Sequence, residues 1–184
     1  MLGHGRIVRR AGRLFRVREW IVAGALVEAR DGILLVRNQR RGGHSDWSTP
    51  GGVIDTSDSS LLAGLAREVE EETGLRVTRW EGPLYAVHAV APDLDWHLRA
   101  EIWQALDYEG QLRVADPDGI VVEAEFLAHT ECVDRLAACP VWVREPLTEW
   151  LVERWGVESP REYHYDVRGT RREDLRVQRA GRER

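Results

Sequence analysis

Residues 67–75 read REVEEETGL: an arginine, then four glutamates in five positions, then a glycine ahead of a leucine. The pattern predicts a helix from Ser60 to Thr73, with Ser59 or Ser60 as its N-cap and Gly74 where a left-handed residue ends it. Leu61, Leu62, Leu65 and Val69 form the stripe that this helix would bury. At about 100° per residue, Glu68, Glu71 and Glu72 fall within about 100° of one another, while Glu70 points away. Like charges spaced i,i+4 cost roughly 0.2–0.5 kcal/mol, and acids in the last turn oppose the helix dipole at roughly 0.3–1 kcal/mol. A divalent cation reverses the sign of each contribution, and oxygen donors at this density suit Mg2+ or Mn2+. A solvated acidic face is the competing reading of a glutamate-rich helix.

The stretch upstream decides between the two. Pro50-Gly51-Gly52 lets the backbone come close to a ligand, and a carbonyl there can join the carboxylates around a metal. Together with REVEEETGL it resembles the signature of the Nudix hydrolases, G-x5-E-x7-R-E-U-x-E-E-x-G-U, where U is a bulky aliphatic residue. Arg67, Glu68, Val69, Glu71, Glu72, Gly74 and Leu75 match its second half without exception. In the first half, counting from Gly52, the expected glutamate falls on Asp58, and one extra residue separates Asp58 from Arg67. The resemblance spans roughly residues 50–75. It implies an α/β protein, an α/β/α sandwich around a mixed β-sheet.

The rest of the chain is compatible with that fold. At 184 residues, with 43% hydrophobic and 31% charged positions, a single well-buried domain is expected. The segments 18–29 and 33–39 read as a strand pair around Asp31-Gly32, and 40–60 as a long loop rich in Gly, Ser and Asp. Strands are expected over 75–92, 96–110 and 119–128, and helices at 130–139 and 144–155. The domain is thus placed at residues 20–155, between a basic leader at 1–19 and a polar, Arg-rich tail at 156–184. The net charge of −5 divides into basic ends and an acidic centre, which argues against a nucleic-acid face. No apolar run reaches the roughly 20 residues of a membrane span, and no signal-type h-region follows the leader, so a cytoplasmic address is expected. Cys132 and Cys139 read as reduced structural residues.

The resemblance further implies hydrolysis of a nucleoside diphosphate linked to another moiety, with Mg2+, or Mn2+ in its place, as cofactor. On this chain it makes Glu68, Glu71 and Glu72 metal ligands, with the Gly51 carbonyl as a further one. Glu68 is the first choice to accept the proton of the attacking water, and Glu71 and Arg67 complete the catalytic set, Arg67 by holding a carboxylate. Members of the family often recruit another acid from a later strand or loop; Glu123 is the expected accessory ligand, with Glu125 on the same strand face. Arg37, Arg40, Arg41 and Gly52 are the candidates for substrate binding, although a solvated loop explains the arginines equally. Trp47 reads as packing beneath the loop, and His88 and His97 as packing or surface residues. The substrate expected is a nucleoside triphosphate, oxidised forms such as 8-oxo-dGTP included. ADP-ribose or a nucleotide sugar is the alternative, favoured if the N-terminal strands form a homodimer. A module that senses a nucleotide without hydrolysing it is the reading of another class, supported only by the shifted first half of the motif.

Overall fold

The computed structural model describes residues 4–10, 13–30, 32–40 and 42–181, with side chains from residue 17 onward apart from that of Arg172. The strands are β1 (His4–Arg10), β2 (Arg13–Ala29), β3 (Gly32–Gln39), β4 (Ser45–Ser48), β5 (Gly51–Val53), β6 (Leu75–Ala91), β7 (Trp96–Gly110), β8 (Val121–Leu127), β9 (Arg161–Arg168) and β10 (Arg176–Arg179). The helices are α1 (Leu61–Thr73), α2 (His129–Leu136) and α3 (Val141–Glu153). One mixed sheet runs β10-β9-β6-β7-β2-β3-β4, with β1 and β5 on β2 and β8 on β3. The pairs β2–β7 and β6–β9 are parallel and the others antiparallel.

Strand alternation divides the apolar residues between the two faces of this sheet. On one face Ala23, Ala25, Val27 and Leu34 pack with Leu65 and Val69 of α1. On the other, Leu26, Ile33, Leu35, Val87 and Ala89 pack with Leu136 of α2 and Leu147, Trp150 and Leu151 of α3. The result is the α/β/α sandwich with a mixed sheet that the sequence leads one to expect. Helix α1 begins at Ser60, whose hydroxyl accepts from the Ala63 N–H, and ends at Gly74 with φ 72°.

Three parts of the sequence reading change. The loop at 40–60 contains two short strands, because Ser45–Ser48 pair with β3 and Gly51–Val53 with β2. The basic leader contains strand: His4–Arg10 pair antiparallel with Arg13–Glu19, the first part of the central strand β2. Within the tail, Arg161–Arg168 and Arg176–Arg179 join the sheet. In REYHYDVR the alternation that composition hid is explicit, and Tyr163, Tyr165 and Val167 are fully buried beside β6. Both cysteines are free and buried.

Candidate active site

Strand β5 brings the backbone of Gly51 and Gly52 against the end of α1. Gly51 has φ 134°, and a Cβ there would stand 2.3 Å from the Ala23 carbonyl oxygen, so only glycine lets β5 lie this close to β2. Its N–H donates to Glu72 Oε2 at 2.7 Å. A Cβ on Gly52 would stand 2.6 Å from Glu68 Oε2. The Gly-Gly pair therefore abuts both carboxylates, Glu72 through a hydrogen bond and Glu68 through contact.

Arg67 organises the other side. Its guanidinium meets Asp58 at 3.1 Å, Glu68 at 2.9 Å and Glu71 at 3.0 Å. Asp58 stands where the motif calls for a glutamate. A turn at Asp55–Asp58, closed by the Asp58 N–H donating to the Asp55 carbonyl at 3.1 Å, presents the shorter acid, which still reaches Arg67 across the lengthened spacing. Hydrogen bonding from Arg67 holds the Asp58 carboxyl below its usual range.

Glu68 and Glu72 line a cavity of about 930 Å³ together with Gly51, Gly52 and Arg67. Burial is the largest influence on Glu72 and, with the charges of Glu68 and Asp116 added, pushes its pKa up to about 8 against the single opposing Gly51 hydrogen bond and the distant Arg40 charge. Burial likewise raises Glu68, against the pull of Arg67. Two desolvated carboxylates are thus held side by side without a full complement of positive charge. Among the described residues no three acidic, histidine or cysteine side chains are gathered closely enough to enclose a metal by themselves. The donor set fits a small, hard divalent cation that keeps several waters and takes one or two carboxylates plus substrate oxygens, as Mg2+ does. Glu68 and Glu72 are the residues that would hold it.

The remaining candidates separate. Glu71 is turned to Arg67 and is absent from the cavity lining. Arg37 and Glu123 face each other across β3 and β8 and neutralise one another at 2.6 Å; neither lines the cavity. Their pairing is fixed by strand register, which the sequence alone does not display. Arg40 does line the cavity while its guanidinium grips Asp46 through three hydrogen bonds of 2.9–3.0 Å. Arg41 lies outside the described residues. Trp47 is 7% exposed and packs in the core, with the Arg135 guanidinium 5.0 Å from its ring centre. His88 stacks on His164 at 4.9 Å, away from the cavity.

Among the lining residues that sequence reasoning passed over are Asn38, Asp116, Asp118 and Trp142. The signal for the two aspartates is the turn Asp116-Pro117-Asp118-Gly119 between β7 and β8. Asp116 there accepts from the Ile120 and Val121 N–H groups at 2.7 Å and so holds the turn against the cavity. The apolar part of the wall comes from β6 and β7 through Val87, Leu98 and Ala100, and from α3 through Trp142, Val143 and Leu147. A cavity with convergent carboxylates on one part of its lining and an aromatic and aliphatic surface on another suits a ligand that is anionic in one half and flat and apolar in the other.

The NUDIX domain family model matches residues 18–151. A "MutT-like protein" of Streptomyces ambofaciens is 48% identical over 56 residues, which is 30% of this chain and 34% of that protein, so the match spans about a third of the relative's length. Among solved structures, the MutT NUDIX hydrolase of Burkholderia pseudomallei aligns with a TM-score of 0.53 and 26% identity over 61% of this chain and 85% of that one. The E. coli ORF135 protein shares the fold, with a TM-score of 0.60 and 19% identity over 75% of this chain and 94% of its own.

Proposed function

We propose, from the premise that this chain belongs to the NUDIX domain family, that it is a pyrophosphohydrolase of nucleoside triphosphates, oxidised ones such as 8-oxo-dGTP included, with Mg2+ as its cofactor. The observation that carries this reading is the Glu68–Glu72 pair, seated against the Gly51–Gly52 backbone in the wall of a cavity of about 930 Å³. Mg2+ bound there supplies charge neutralisation at the pyrophosphate and lowers the pKa of a coordinated water.

The residues divide the remaining work. Glu72, most deeply desolvated, is the carboxylate whose burial a cation best offsets. Glu68 takes the proton of the attacking water, and Arg67, at 2.9 Å, holds it in place while Glu71 and Asp58 hold Arg67. Asp118, on the turn that faces Glu68, takes the accessory acid role in place of Glu123, which Arg37 occupies. The Asn38, Leu98 and Trp142 part of the lining receives the nucleoside. A sensor without turnover is disfavoured by the Asp58–Arg67 pair, which keeps the first half of the motif at work despite the added residue. No helix of the described residues is long and apolar enough to cross a membrane.

The test is release of phosphate or pyrophosphate from nucleoside triphosphates, 8-oxo-dGTP, ADP-ribose and diadenosine polyphosphates, with and without Mg2+. Metal-dependent turnover of the triphosphates is expected. Turnover confined to ADP-ribose would replace the substrate class, and nucleotide binding with no turnover would refute the hydrolase reading in favour of the sensor.

A further inference from the structure

Helix α3 carries Glu145, Glu149 and Glu153 at four-residue spacing. On an isolated helix such a ladder is repulsive. Its partners come from β9 and β10. The Tyr163 hydroxyl donates to Glu149 at 2.8 Å and the Tyr165 hydroxyl to Glu145 at 2.9 Å, with both tyrosines no more than 2% exposed. Arg179 pairs with Glu149, stands 4.0 Å from Glu145 and lies over the Tyr163 ring at 4.6 Å. Arg161 pairs with Glu153 and covers the Trp155 ring at 3.8 Å. The family match ends at residue 151, within α3, so the strands that supply these partners lie beyond it.

The helix held in this way is the one that supplies Trp142, Val143 and Leu147 to the cavity. A second contact reaches the cavity from the sheet side: Tyr163 packs edge-on against Tyr85 at 5.9 Å, and Tyr85 is itself part of the lining. Both routes begin at β9 and end on the apolar part of the wall. Neither touches Glu68 or Glu72.

We infer that β9 and β10 form a positioning element of the nucleotide cavity, in which Tyr163, Tyr165 and Arg179 fix α3 and Tyr85 and thereby set the affinity for the nucleoside half of the ligand. This rests on the reading of the cavity as a nucleotide site. It assigns the extra strands to substrate affinity and leaves the acid pair to the chemistry.

The experiment uses the full chain and the double variant Tyr163→Phe/Tyr165→Phe, which keeps both rings and removes both donors. Equilibrium binding of ATP, read with Ca2+ in place of Mg2+, is expected to weaken about fivefold or more, with KM rising in step and kcat within about twofold. Binding of inorganic pyrophosphate, which lacks a nucleoside, stays within about twofold of wild type. Glu145→Gln, which preserves an acceptor for Tyr165, serves as the conservative variant and keeps ATP affinity within about twofold. Should the double variant fail to fold, Arg179→Met carries the same expectation with a smaller loss. Unchanged ATP affinity in a folded variant overturns the inference while leaving the hydrolase reading intact, and parallel loss of ATP and pyrophosphate binding overturns it as a general structural effect. Selective loss of ATP affinity in a chain that never turns over nucleotide supports the inference and defeats the hydrolase reading. Absence of ATP binding in the wild type overturns both.

Discussion

Replacing Glu72 with glutamine separates what one carboxylate costs the fold from what it does for the chemistry. Glu72 is 8% exposed, and its pKa rises from 4.5 to about 8 chiefly through burial. The folded chain therefore keeps a proton that the unfolded chain releases above 4.5. The stability tied to that proton is complete below 4.5 and is lost as pH rises through about 8 when no metal is present. The full interval corresponds to at most about 5 kcal/mol, and the part between pH 6 and 9, after water and backbone relax around the charge, to about 2 kcal/mol. Glutamine carries no charge and retains an oxygen to accept from the Gly51 N–H. In EDTA, the wild-type Tm should accordingly fall by about 4–8 °C relative to Glu72→Gln between pH 6 and pH 9. The same variant should lose Mg2+-dependent turnover by about 100-fold or more. Paired thermal melts across pH, with a single-point activity assay, measure both. A Tm difference that stays constant with pH would show that Glu72 is not a desolvated charge, and full activity would remove α1 as the metal site.

Two further substitutions test the geometry around it. Gly52→Ala places a Cβ 2.6 Å from Glu68 Oε2, so the carboxylate must swing away; kcat/KM should fall by about 10- to 100-fold while Tm changes by only a few degrees, and wild-type activity would disprove the contact's importance. Asp118→Asn should lower kcat by about tenfold, whereas Glu123→Gln should stay within about twofold because Arg37 holds Glu123 off the cavity. Titration of both variants with Mg2+ decides between these acids, and the reverse order of effects would return the accessory role to Glu123.

Much of the fold was legible because local chemistry and tertiary role agree in it. Ser60, Gly74 and the Leu65–Val69 stripe determine the start, end and buried face of α1 from within one short local stretch of sequence. The strands at 75–91 and 96–110 announce themselves by length and composition. What stayed hidden depends on distant partners. Strand β4 forms because β3 offers it an edge, and β9 because β6 does, and composition rich in arginine and glutamate masks the Tyr163, Tyr165 and Val167 alternation. The site divides along the same line. Glu68, Glu72, Gly51, Gly52 and Arg67 are close in sequence or joined by the motif, and they converge on the cavity. Arg37 and Glu123 were each read alone, and only cross-strand register brings them together as a pair that spends both charges. Asp118 sits in a turn that the sequence displays, but only tertiary placement brings it and Trp142 into the lining.

The parallel seating of β9 on β6 also bears on how the chain acquires its shape. Tyr85 pairs with Arg161 and Ala89 with Tyr165, so this edge closes only after the intervening strands β7 and β8 and helices α2 and α3 have been made. During synthesis β6 is delivered early, with Tyr85, Val87 and Ala89 on its core-facing side and open hydrogen-bonding groups along its rim. Until β9 emerges, that rim can accept a strand from any neighbouring chain, and long-range parallel pairing of this kind is slow. The same segment that braces the cavity wall from behind is thus also the one that covers this rim of β6 against wrong partners as the chain folds.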